Sequence, residues 1–187
     1  MDKATAPSRP NGLNHLVINV RNMAETHAFW TGMLGFQKVG EFVGSDPSGM
    51  QRKMQFYSGD HGNGQLNHHD IAFIEEPGLP PPPMEGKFLT AIGHIAIGFP
   101  DRESWLQQIA FLQASGVKFD RRVEHGMTHS LYIRDPNGYS VELLYELPRE
   151  VWAGDIHAAL NHYVALPTEG PAALEDRTKG YPVFTAR

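Results

Sequence analysis

The 187-residue chain contains no cysteine, which excludes disulfides, thiolate metal ligands and a cysteine nucleophile, and fits a reducing compartment. Basic residues are also in short supply: 16 Lys and Arg stand against 21 Asp and Glu, for a formal charge of -5. A phosphate backbone needs a basic face, so nucleic acid is not an expected partner. There is no basic amphipathic stretch to lie on a membrane surface, and no apolar run reaches the ~18–20 residues that span a bilayer. Residues 1–12 are polar, include two prolines and lack the apolar centre of a signal peptide, so they read as a disordered start. The expectation is a soluble, cytoplasmic protein. What the chain does have is a hydrophobic fraction of 41%, enough for a real core, and ten histidines.

The sequence repeats itself. Leu13-Asn14-His15-Leu16-Val17-Ile18 returns as Ile92-Gly93-His94-Ile95-Ala96-Ile97, each a short apolar strand with histidine in third place. A capped helix follows each strand. Asn22 caps the first, with Glu25 completing a capping box, and Phe29, Trp30, Met33 and Leu34 fall at core-facing spacing before Gly35. Asp101 caps the second, which carries Trp105, Ile109 and Leu112 and stops at Gly116. Three strand-like runs come next in each half, at about 36–44, 50–58 and 67–75, then 117–124, 128–134 and 138–146. The turn Asp135-Pro136-Asn137-Gly138 separates the last two.

These patterns predict an α+β protein of two tandem βαβββ modules, at 13–76 and 91–147, joined by a stiff proline-rich linker at 77–90. Residues 148–187 form a C-terminal helix and tail, with Asp155 capping a helix that carries Ile156, Leu160, Tyr163 and Val164. The tail lids the cavity, packs on a neighbouring subunit or covers an edge. In a βαβββ unit the helix covers one sheet face and the other stays bare, so two units are expected to close their bare faces into one cavity.

Strand side chains alternate between faces. Leu16 and Ile18 suit the helix side, which turns His15 and Val17 inward. Ile95 and Ile97 do the same for His94, and Val141 and Leu143 for Glu142. A carboxylate inside a cavity is costly unless a charge or hydrogen bonds compensate it. Two imidazoles and one carboxylate form the donor set that suits non-haem Fe(II) and leaves coordination positions open, so His15, His94 and Glu142 are the candidate metal ligands.

The motifs His69-Asp70-Ile71-Ala72-Phe73-Ile74, Gly93-His94, His125-Gly126-Met127-Thr128-His129, Tyr132, Asp135-Pro136-Asn137-Gly138 and Val141-Glu142-Leu143 resemble the vicinal oxygen chelate superfamily. Within it, the chain is similar to the small one-domain type of extradiol catechol dioxygenase, over residues 14–147. The resemblance implies a glyoxalase/dioxygenase-like fold with one metal-containing cavity and Fe(II), or alternatively Mn(II), on His15, His94 and Glu142. It also implies acid–base work by His69, and hydrogen bonds from His125 and Tyr132 to substrate oxygens. The expected partners are a small aromatic diol and dioxygen, in a homo-oligomer. The stretch from His125 to Tyr132 is two residues shorter than in the family's larger enzymes, which leaves His129 as an alternative to His125. By strand alternation His69 shares a face with Ile71 and Phe73, a pocket wall for an aromatic ring, and Asp70 points to the other face. His27, His61, His157 and His162 read as surface residues, as does His68.

Two other functions fit the same scaffold. A glyoxalase-like lyase or isomerase would add a fourth protein ligand from the last strand of the first module, where Glu75 is the one carboxylate on the face of His69. A metal-free drug-binding resistance protein would be a single-unit dimer without three converging ligands.

Overall fold

The Asn22 side-chain oxygen accepts from the N–H groups of Ala24 and Glu25 and so opens helix α1 (Met23–Gly32). Asp101 opens α2 (Arg102–Ala114) by accepting from Ser104 N–H at 2.7 Å. Gly35 and Gly116 follow these helices with φ of 75° and 76°, the left-handed conformation that lets a chain leave a helix. The computed structural model describes residues 12–45, 49, 51–82 and 92–185. The expected disordered start and most of the proline-rich linker lie outside the described residues.

The chain divides into two compact units, Met1–Pro80 and Pro81–Arg187. In unit 1, β1 (Leu16–Val20), β2 (Gln37–Ser45), β3 (Gln51–Ser58) and β4 (Ile71–Glu75) form one sheet in the order β1-β4-β3-β2. In unit 2, β5 (Ile95–Gly98), β6 (Arg121–His125), β7 (Thr128–Arg134) and β8 (Ser140–Glu146) repeat that plan as β5-β8-β7-β6. First and last strands of each unit pair in parallel, and the other neighbours are antiparallel. Each unit is therefore βαβββ, and the α+β class with this fold holds.

The helix-side face of each sheet is the core. In unit 1 Trp30 is fully buried, its ring 5.0 Å from Phe73 and 5.2 Å from Phe36. In unit 2 the buried Trp105 donates its indole N–H to Leu143 O at 2.8 Å, and its ring lies 5.2 Å from Tyr145. Aromatic pairs of this kind each contribute ~0.5–1.5 kcal/mol beyond the area they bury.

Three local expectations are corrected. Ile71 and Phe73 line the helix side of β4, not a pocket wall: Phe73 packs on Trp30, and Ile71 pairs with the buried Tyr57. The strand begins only at Ile71, so the alternation applied from His69 onward crosses a bend where it does not hold. Glu75 belongs to the helix side too. It accepts from Met23 N–H at 2.7 Å at the start of α1 and pairs with Lys53 at 3.2 Å. Anchoring of this kind uses the partial positive charge of a helix N-terminus.

The third correction concerns the C-terminal segment. Asp155 caps α4 (Ile156–Asn161) by accepting from Ala158 N–H, but Tyr163 and Val164 leave that helix and begin a strand, β9 (Tyr163–Leu166). It pairs antiparallel with β6 and becomes the fifth strand of the unit 2 sheet. After α3 (Arg149–Trp152), α4 and β9, a short turn of 3-10 helix at Pro171–Leu174 brings Asp176 behind the sheet. The Asp176 carboxylate is fully buried and receives His129 Nδ1 at 2.6 Å, Tyr145 Oη at 2.8 Å and Arg102 Nε at 2.7 Å. Arg122, also buried, donates to the carbonyls of Ala173 and Glu175.

Burial alone pushes the Asp176 carboxyl up, but the hydrogen bonds from His129, Tyr145 and Arg102 outweigh it and hold it below the ordinary carboxylate range. A carboxyl depressed in the folded state contributes its full stabilisation above the unfolded pKa of about 3.9, and loses it as pH falls through the folded value. Asp176→Asn is therefore expected to lower stability at pH 7 by ~3 kcal/mol, since it removes the charge that the Arg102 and buried Arg122 guanidinium groups face and weakens the bonds from His129 and Tyr145. Urea titration measures this, and the gap between variant and wild type should narrow below pH ~4.

Candidate functional site

On the face of the unit 2 sheet opposite α2, parallel pairing sets Ala96 beside Glu142, and antiparallel pairing sets Tyr132 opposite Glu142 and Arg121 opposite Tyr132. Residues directly opposite in a ladder project to the same side, so one face collects these side chains. His94, two residues before Ala96, lies there as well. Its Nε2 is 2.9 Å from Glu142 Oε2. Tyr132 donates its hydroxyl hydrogen to Glu142 Oε1 at 2.7 Å, and His125 Nε2 lies 3.4 Å from the Tyr132 oxygen. Glu142 is only 5% exposed, yet both of its oxygens have a partner, which is what a desolvated carboxylate requires.

Electrostatics follow from this packing. Burial raises the Tyr132 phenol above its ordinary pKa, and the hydrogen bond and negative charge of Glu142 raise it further. The Arg121 guanidinium, 3.9 Å above the Tyr132 ring, acts in the other direction. Tyr132 is thus a neutral donor over the physiological range, fixed in direction by Glu142.

Unit 1 carries the other two site candidates on the face opposite α1. The His15 and His69 rings lie 4.3 Å apart, and His69 packs against Phe56 at 5.1 Å. His15 Nδ1 meets Asn14 Oδ1 at 2.7 Å, and His69 Nδ1 meets His68 Nδ1 at 2.8 Å, so the Nε2 atoms of both rings are left for other partners. Burial, followed by the charges of His15 and His68, lowers the His69 pKa, which favours a neutral imidazole. His68 is exposed, as expected, and its ring joins those of His15 and His69 in one cluster.

A loop network sets the bend that turns His69 to this face. The Asp70 carboxylate accepts from Gly59 N–H at 2.8 Å, from His61 Nε2 at 2.9 Å and from Asn67 Nδ2 at 3.2 Å. Its backbone joins β1 through Leu16 N–H to Asp70 O at 3.1 Å. Asp70 therefore braces residues next to both His15 and His69, and His61 serves that brace. His27 is likewise engaged, 3.0 Å from the Tyr57 hydroxyl on the helix side.

His94, Glu142, Tyr132 and His125 thus come together in unit 2, and His15 and His69 come together in unit 1. Within each unit, among the described residues, no three His, Asp or Glu side chains converge as a metal cluster. His129 is separated from the site residues of its own unit: it is fully buried on the helix side, bonded to Asp176 and 2.9 Å from the Tyr145 hydroxyl. That leaves His125 as the histidine of this stretch on the site face. Arg121 and Tyr163, which also lie on that face, were not foreseen. Their positions depend on the pairings of β6 with β7 and β9, which no local pattern encodes.

The chain belongs to the glyoxalase/bleomycin resistance protein/dioxygenase superfamily, whose model matches residues 12–143. It is 26% identical over 157 residues to a lactoylglutathione lyase of Pseudomonas putida, covering 72% of this chain and 85% of that protein. It is 34% identical over 76 residues to biphenyl-2,3-diol 1,2-dioxygenase 3 of Rhodococcus globerulus, a match that spans 41% of this chain and 40% of the relative. A crystal structure of a glyoxalase/dioxygenase from Nostoc punctiforme superposes with a TM-score of 0.56 at 18% identity, over 79% of this chain and 99% of that one, and establishes the fold.

The Tyr132 phenol offers a direct check on the unit 2 geometry. In chelator-treated protein, ultraviolet titration should place its ionisation above that of an ordinary tyrosine, identified by its loss in Tyr132→Phe. Glu142→Gln removes the adjacent negative charge and should bring the ionisation down. An unchanged titration would mean that the two groups do not touch in solution.

Proposed function

We propose that the protein is an extradiol dioxygenase, which opens the ring of a catechol-type diol beside its two hydroxyls and places both atoms of O2 in the product. The observation that carries this reading is the Glu142 arrangement: a buried carboxylate with one oxygen held by Tyr132 and the other beside His94 Nε2. Donor atoms bound side by side at right angles on an ion, with bonds of ~2.1 Å, lie ~3 Å apart. The 2.9 Å between His94 Nε2 and Glu142 Oε2 fits that spacing, so the residues present suit a divalent ion. In this reading His15 of unit 1 is the third ligand, and the ion is Fe(II), with Mn(II) the alternative.

When bound, such an ion offers open positions to a diol and to dioxygen, and makes the diol more acidic. The protein's side chains do the rest. Tyr132 fixes Oε1 of Glu142, leaving Oε2 as the donor. His125 and Tyr132, 3.4 Å apart, orient the oxygens of the diol. His69, held neutral by burial and its histidine neighbours, takes a proton at Nε2 and returns it later in the turnover. Phe56, against the His69 ring, shields that proton from bulk water.

The lyase match over most of the chain gives the competing reading its support. Against it stands Glu75, the one candidate for a fourth ligand, whose carboxylate is engaged by Met23 N–H and Lys53 on the helix side. A three-ligand site agrees better with ring cleavage.

Protein purified without oxygen is expected to hold about one Fe(II) or Mn(II) per chain. His15→Ala, His94→Ala and Glu142→Ala should each remove most of it, as read by elemental analysis. Retention of the metal in all three would refute the ligand set.

Given a catechol and air, the iron-loaded enzyme is expected to consume oxygen stoichiometrically and form a yellow ring-opened product. Conversion of a methylglyoxal–thiol adduct without oxygen uptake would instead establish the lyase. His69→Gln should keep its metal while turnover falls by ~10²–10⁴, the usual contribution of a positioned acid or base. Tyr132→Phe should cost less, because the ring and most of the pocket wall remain.

A further inference from the structure

We infer that Tyr163, on the strand that the C-terminal segment adds to unit 2, contacts the substrate and forms the wall for a ring substituent of the diol. The inference rests on the proposed function, since it takes the face of His125, Tyr132 and Glu142 as the substrate side. In the antiparallel pair of β6 with β9, Tyr163 lies directly opposite His125. Opposed residues share a face, and the two rings meet edge-on with centroids 5.8 Å apart. His125 in turn reaches the Tyr132 hydroxyl, so Tyr163 stands next to the group that orients the diol.

The rest of β9 supports this. Val164 and Leu166 turn to the opposite face and are half-buried, whereas Tyr163 is 57% exposed. Among the described residues its hydroxyl has no hydrogen-bond partner. Ala165, the next residue on the site face, lies opposite Val123. A large flat side chain beside the exposed Ala165 leaves an apolar edge suited to an aromatic or bulky apolar group, while the guanidinium on this face, that of Arg121, lies over the Tyr132 ring.

Tyr163 is also held in place. Gly126 donates its N–H to Ala159 O at 3.2 Å, and a Cβ at Gly126 would lie 2.6 Å from the Ala159 Cα and carbonyl oxygen and from the Phe184 ring. Only glycine permits that approach. It sets the C-terminal segment against the strand end that carries His125, whose Nδ1 lies 3.4 Å from the carbonyl oxygen of His162, the residue before Tyr163. Phe184 closes the arrangement by pairing with Val151 and Asp155. A contact residue whose backbone is fixed in this way binds at a reduced ordering cost.

The test is anaerobic calorimetric titration of the iron-loaded protein with catechol and with 3-phenylcatechol. Tyr163→Ala should weaken 3-phenylcatechol more than catechol, by a ratio of ~3–10-fold. Tyr163→Phe should keep most of the preference, because the ring and not the hydroxyl makes the wall. Tyr163→Leu keeps a strand-compatible apolar side chain, guards against a folding defect, and should lose part of the preference. Equal losses for both diols, or no loss, would overturn the inference and leave ring cleavage, judged separately by oxygen uptake, intact. Failure of the wild type to bind either diol would overturn both.

Discussion

A carboxylate at Glu142 that is almost wholly removed from water is the constraint around which unit 2 is arranged. An unpaired buried carboxylate costs several kcal/mol, so the strand that carries it survives only if its neighbours supply donors. Tyr132 does so from β7 and His94 from the residue before β5, on the two sides of β8. The cost of burying the charge therefore fixes the register of β7 and β5 against β8. The same register decides which other residues face the site. Arg121 reaches the Tyr132 ring because β6 follows β7 by the same alternation.

The two faces of this sheet divide the polar residues between distinct tasks. His129 and Tyr132 lie on the same strand three residues apart and point in opposite directions. His129 joins Asp176, Tyr145, Arg102 and Arg122 in a buried network that ties the C-terminal segment to the back of the sheet. That network contributes nothing to the chemistry of the front face directly. It holds β6 and β7 from behind, and Arg177 extends the hold by pairing with the buried Glu124. A front face supported this way keeps its donors in place before any ligand arrives, which is the property that positioning and electrostatic effects depend on.

Much of this was legible from local pattern. Alternation correctly turned His15, His94 and Glu142 away from the helices, because each lies in or at the edge of a regular strand with apolar residues on the core side. Capping chemistry gave both long helices their starts at Asn22 and Asp101. The failures share one cause. His69 precedes its strand, and the Asp70 network bends the chain there, so counting by twos assigned Ile71 and Phe73 to the wrong face. Tyr163 was read as helical because Asp155 announces a helix, while the strand that follows is created by an open edge on β6. An open edge exists only once the sheet has assembled, so its influence on β9 is tertiary and leaves no local trace.

The two modules use the equivalent strands, β4 and β8, differently. In unit 2 that strand places Glu142 on the bare face, whereas in unit 1 the corresponding strand ends in Glu75 on the helix face. The difference is one of parity, and it has a physical reason. Val20 pairs with Glu75, so this carboxylate comes out beside the first turn of α1, where the Met23 N–H and the Lys53 ammonium neutralise it. Moving Glu75 to the bare face would shift β4 by one residue and drive Ile71 and Phe73 out of contact with Trp30, a loss far larger than one ligand bond could offset. The aromatic core of unit 1 thus holds the one carboxylate of β4 on the helix face. The side on which β4 presents its carboxylate is then a consequence of core packing.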